Sequence, residues 1–142
     1  MIIIHKHQPK NWEKLSASFG GVKWEGNIVV TYAGHIHCPS GKVAPDVLVH
    51  ELVHVEQQRG QNMETLLELY MNDIQYLREV EAAAFKAQAA FIDATMPNAQ
   101  AWCRKYEIAK QMVRMYKTAF TFETASAIMN LNELDKSIRP VR

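Results

Sequence analysis

The sequence predicts an α+β protein that is mostly α: a small N-terminal β-sheet followed by a helical bundle. Residues 1–43 are rich in β-formers and turn formers, in the stretches MIIIHKH, FGGVKWEG and NIVVTYAGHIHCPSG. Beyond Val43 the pattern becomes helical, and no proline interrupts it between Pro45 and Pro97. A length of 142 residues suits one core, so a single domain over residues 1–142 is expected.

In the N-terminal part, Gly20-Gly21 and Gly26-Asn27 read as turns, and NIVVTY reads as a strand of β-branched and aromatic residues between glycines. Cys38-Pro39-Ser40-Gly41 closes the extended region. A helix over 44–59 follows: Pro45 suits a first helical position, Asp46 complements the positive end of the helix dipole, and Arg59-Gly60 supplies a stop.

The next stretch, from Asn62 to Met96, is helical in propensity throughout, with a restart expected near Asn72, where Asn72-Asp73-Ile74-Gln75 has capping-box spacing. Pro97 opens a third helical region. Trp102, Tyr106, Ala109, Val113 and Tyr116 recur there at three- and four-residue intervals, as a core-facing stripe would. A short helix over Glu123–Leu131 completes the bundle.

Composition narrows the function classes. Hydrophobic residues make up 48% and charged residues 22%, in the range of soluble globular domains. With 16 Lys+Arg against 15 Asp+Glu, nothing points to nucleic acid, and the locally basic DKSIRPVR end reads as a solvated terminus. No apolar run approaches a signal-peptide core or a membrane span, so cytoplasmic residence, reduced Cys38 and Cys103, and no membrane partner are expected.

The chemistry concentrates in VLVHELVHVEQQ, residues 47–58. His50-Glu51-Leu52-Val53-His54 is an HExxH string, and residues four apart on a helix lie one above the other, so both imidazoles address one point. Zinc accepts two such nitrogens at about 2.0–2.1 Å, and Glu51 lies beside that face, where it can take a proton from a water the metal activates. The surrounding Val47, Leu48, Val49, Leu52, Val53 and Val55 suggest burial. Buried polar groups without partners cost roughly 2–7 kcal/mol each, so a bound metal is the expected compensation.

A catalytic zinc needs a third protein ligand, and the candidates are His35, His37 and Cys38 upstream and Glu79 and Glu81 downstream. Residues 27–91 resemble the HExxH zincin metallopeptidases, in particular the gluzincin-like branch, whose third ligand is a glutamate on the next major helix. In that branch the glutamate commonly begins an E-x-x-A pattern followed by Asp or Asn. Glu79-Val80-Glu81-Ala82-Ala83 matches except at Ala83, where the carboxylate or amide that would orient a ligand histidine is missing.

The resemblance therefore implies a minimal zincin-like fold, one zinc ion held by His50, His54 and Glu79, and Glu51 as general base. Glu81 competes with Glu79, because odd positions in succession are about 200° apart on a helix and only one can face the metal. A single helix running back from Gly60 would carry Glu79 roughly 15 Å past His54, so a break near Asn72 is required. The HVEQQ segment adds a likeness to small single-domain metallopeptidases of bacteria and their phages, with Glu56 and Gln57 rotated off the ligand face, exposed or supporting a ligand rather than binding the metal.

The resemblance implies hydrolysis of a peptide or protein substrate, with NIVVTYAGHI as the strand before the metal helix that pairs with it. Tyr32, His35, His37, Tyr70 and Tyr76 are the candidate oxyanion stabilisers. His5 and His7, a further H-x-H pair, read as a polar strand face. Two other readings stand beside this one: a His50/His54/Cys38 amide hydrolase resembling peptide deformylase, and a non-catalytic zinc-stabilised binding or scaffold domain.

Overall fold

The computed structural model describes residues 2–116 and 118–131. Within them the chain is α+β and mostly α, in the order β1 (Ile4–His5), α1 (Trp12–Ser18), β2 (Val30–Tyr32), β3 (His35–His37), α2 (Pro45–Gln58), α3 (Met63–Asn72), α4 (Ile74–Thr95), α5 (Asn98–Met115) and α6 (Phe122–Ile128). The basic C-terminal segment lies outside the described residues.

The sheet has the order β1-β3-β2, with β1 parallel to β3 and β2 antiparallel to it. The expected single strand NIVVTYAGHI is instead a hairpin. Tyr32 pairs with His35 around Ala33-Gly34, whose φ angles of 53° and 79° are those of a two-residue turn matched to the twist of the flanking strands. Helix α1 was not expected in this region. Its signal is the spacing of Trp12, Leu15 and Phe19, which put one apolar face into the core.

The break between α3 and α4 falls where the chain length requires it, but Asp73 is the cap, one residue after the expected Asn72. The Asp73 carboxylate accepts hydrogen bonds from the backbone N–H groups of Gln75 and Tyr76, supplying partners that the first turn of a helix otherwise lacks. The side chain of Asn72 instead donates to the Glu68 carbonyl.

Helix α4 buries Leu77, Glu81, Ala84, Phe85, Gln88, Ala89 and Ile92, an unbroken three-and-four spacing that defines its inward face. On α5 the buried face is Ala101, Lys105, Ile108, Ala109 and Met112. The expected stripe holds in part: Ala109 and Tyr116 are buried, whereas Trp102, Tyr106 and Val113 are only partly buried against the core, with Trp102 and Tyr106 stacked on each other. Lys105 is buried with its ammonium on Asp93, at 2.9 Å. No helix among the described residues is long and apolar enough to cross a membrane.

Candidate metal centre

Helix α2 packs along α4 and against β2, and the expected burial holds for its polar side chains but not for all of the apolar ones around them. The buried residues are Asp46, His50, Glu51 and His54, while Leu52 is 39% exposed and the surrounding valines are half-buried. The polar side chains face inward because their partners are there.

His50 Nε2 and His54 Nε2 lie 3.2 Å apart. A single carboxylate oxygen, Oε1 of Glu81, lies 3.3 Å from the first and 3.1 Å from the second. Ligand atoms about 2.0–2.1 Å from a tetrahedral ion are separated by about 3.3 Å. The three donors therefore already stand at the corners that such an ion needs, and His50, His54 and Glu81 form a group that could hold a metal ion.

The carboxylate brought to the two histidines is that of Glu81, not of the expected Glu79. Glu79 is exposed and accepts a hydrogen bond from Gln75 on the outer face of α4. Leu77, Ala84, Phe85 and Ile92 fix the inward face of the helix, and Glu81 falls in phase with them while Glu79 does not. That apolar phase was present in the sequence. Ala84, with no exposed surface, keeps the small-residue spacing three positions after Glu81.

The carboxylate or amide that would orient a ligand histidine is supplied by two glutamines. His50 Nδ1 lies 3.0 Å from Gln88 Oε1, and Gln88 Nε2 donates to Asp46 Oδ2 at 2.7 Å. Because the Asp46 carboxylate can only accept, it fixes the amide so that Oε1 accepts the Nδ1 proton of His50. Arg104 holds Asp46 through Nε at 3.0 Å and Nη2 at 2.8 Å.

His54 is fixed in the same manner. Its Nδ1 lies 2.8 Å from Gln57 Oε1, and Gln57 Nε2 donates to the Val80 carbonyl. Both imidazoles therefore carry their proton on Nδ1 when neutral and direct the Nε2 lone pair toward Glu81, as metal-ligating histidines do.

Electrostatics match this geometry. Burial opposes charge on His54, but the Glu81 carboxylate outweighs it and lifts the imidazole to about 9. Burial likewise opposes ionisation of Glu81, and the two histidines overcome it, holding its carboxyl well below the usual range. Glu51 is raised, first by burial and further by Glu81, against the lowering effect of the histidines and Thr31. Thr31 Oγ1 donates to Glu51 Oε1 at 3.0 Å, while Glu51 Oε2 is 3.8 Å from His50 Nε2.

The donors open into a cavity of about 220 Å³ lined by residues 27–31, His50, Glu51, His54, Glu81, Tyr70, Tyr76 and Tyr116. Of the five candidate oxyanion stabilisers, Tyr70 and Tyr76 lie at this cavity. Tyr32 does not: its hydroxyl accepts a hydrogen bond from Asn11 in the core. His35 and His37 do not either, because the hairpin turns them toward β1, where His37 Nδ1 meets the His7 carbonyl.

Tyr70 donates to Glu81 Oε2 at 2.7 Å, and its hydroxyl lies 3.4 Å from that of Tyr116. Tyr116 was assigned only to the core stripe; its position at the cavity depends on how α5 docks. Cys38 is fully buried and free, with its sulfur 3.4 Å from Ser40 Oγ and 3.6 Å from the Lys42 carbonyl. It is therefore not brought to the two histidines. Glu56 pairs with Arg59 in solvent.

No protein-family model, curated protein or solved structure matches the chain.

Proposed function

We propose that the chain is a zinc-dependent metallopeptidase, with His50, His54 and Glu81 as metal ligands and Glu51 as general base. The observation that carries this reading is the convergence, among the described residues, of three protein donors rather than four on a point beside a fourth polar group, Glu51, at an open cavity. Closed structural zinc sites use four protein ligands, whereas catalytic sites use three and leave a position for water or substrate. This favours an enzyme over a scaffold domain.

The donor set of two imidazoles and one carboxylate suits zinc. When bound, zinc supplies Lewis-acid polarisation of a substrate carbonyl and acidifies a water. Glu51 is placed to take up a proton beside the ligands, as a general base there would: Thr31 holds one of its oxygens, leaving Oε2 on the ligand side. Its raised pKa makes it a better base once ionised and suits it to return the proton to the leaving amine.

Tyr76 is the expected oxyanion donor, since Tyr70 is committed to Glu81. An extended peptide would pair along residues 27–30, which line the cavity, because the Thr31 carbonyl is already taken by Gln58 Nε2 at 3.1 Å.

The test is Glu51→Gln, which leaves the three ligands in place. Zinc content is expected to stay at the wild-type level while hydrolysis of an unfolded protein substrate such as casein falls by at least about 100-fold, the range of a lost general base. Wild-type, zinc-loaded protein that cleaves neither casein nor a mixed peptide library would reject the peptidase reading.

A further inference from the structure

The chain has six histidines, and the four outside the metal centre are gathered on one face of the sheet. Strand β1 runs parallel to β3 with His5 opposite His37. Side chains alternate along extended backbone, so His35 and His37 share a face, and His5 and His7 join it from the neighbouring segment.

Three of these rings form a closed triangle. Their centroids are 5.3 Å apart for His5 and His7, 5.1 Å for His5 and His37, and 5.1 Å for His7 and His37. His35 stands 5.2 Å from His5. Two imidazoles on one tetrahedral ion, each with its nitrogen about 2.0–2.1 Å from the metal, have ring centres roughly 5 Å apart. The His50 and His54 rings of the metal centre are 4.9 Å apart.

His37 also has the anchoring contact of a ligand histidine. It is buried, and its Nδ1 donates to the His7 carbonyl at 3.0 Å, which leaves the Nε2 lone pair free and fixes the ring. The nitrogens of the cluster are not yet gathered as those of His50, His54 and Glu81 are. The exposed His7 and half-buried His5 have to turn about their side-chain torsions to meet His37 Nε2.

We propose that this face of β1 and β3 is a second transition-metal site, with His5, His7 and His37 as ligands and His35 at its margin. An all-imidazole donor set selects zinc, nickel or copper over calcium or magnesium. Its occupant bridges β1, only two residues long, to β3, so binding fastens the N-terminal strand to the sheet.

Zinc titration of the full chain, followed by equilibrium dialysis and by the imidazole ring signals in NMR, tests this. Wild type is expected to take up two equivalents, H5A/H7A one, and E81A one. In wild type the second equivalent is expected to shift the ring signals of His5, His7 and His37. Equal stoichiometry for wild type and H5A/H7A, or unmoved ring signals for those three histidines at saturation, would overturn the proposal. The E81A arm separates it from the peptidase site: loss of that site leaves the second equivalent in place.

Discussion

Glu81 Oε1 stands 3.1 Å from His54 Nε2, a contact made across α2 and α4 between residues 27 positions apart in the chain. It holds the ligand set together, and its removal has a direct consequence. Glu81→Gln is expected to lower zinc affinity by well over 10-fold, whereas Glu79→Gln, on the outer face of α4, is expected to leave it unchanged. Competition with a chromophoric chelator measures both. A larger loss for Glu79→Gln than for Glu81→Gln would return the third ligand to Glu79.

Gln88 joins His50 to the Asp46 and Arg104 pair. Replacing it by leucine removes the acceptor for the His50 Nδ1 proton while preserving much of the side-chain volume. Zinc affinity is expected to fall about 10- to 100-fold, the usual range for losing a group that orients a ligand histidine. Gln88→Glu also removes the donor to Asp46 and places two carboxylates together, so it is expected not to restore stability even where it restores the His50 contact. Chelator competition and thermal unfolding separate the two effects.

The raised His54 sets a pH dependence in chelator-treated protein. Its folded value of about 9 lies above an unfolded value near 6.5. The folded state therefore holds the extra proton, and the associated stability is complete below about pH 6.5 and lost as pH rises through about 9. Glu51, also raised, loses its contribution in the same direction. Glu81, lowered, contributes above the usual carboxylate range and loses its share only in acid.

Urea unfolding of the chelated protein is thus expected to show falling stability from about pH 6.5 to 9. Zinc-saturated protein is expected not to follow that fall, because binding requires deprotonated His54 and so strengthens as pH rises over the same interval. Parallel pH profiles with and without zinc would remove this assignment.

The sequence by itself determined the elements and chemistry that depend on local geometry. His50 and His54 share a face because they are four residues apart on a helix, and Glu51 must flank them; that relation holds wherever the helix packs. The break near residue 73 followed from chain length and capping chemistry, and the bundle after Pro45 from propensity and the absence of proline.

Tertiary structure decided how those elements meet. Glu79 and Glu81 both precede alanines, and the choice between them is the rotation of α4 about its axis, which the apolar phase of Leu77, Phe85 and Ile92 signals in the sequence and their burial together fixes. Gln88 and Gln57 orient the two histidines because α4 lies along α2 at a distance that side-chain amides can bridge. The split of NIVVTYAGHI into two strands sends His35 and His37 away from the cavity and toward His5 and His7. A helical repeat fixes which residues share a face; which face becomes the inside is decided by the apolar surface of every neighbouring element at once.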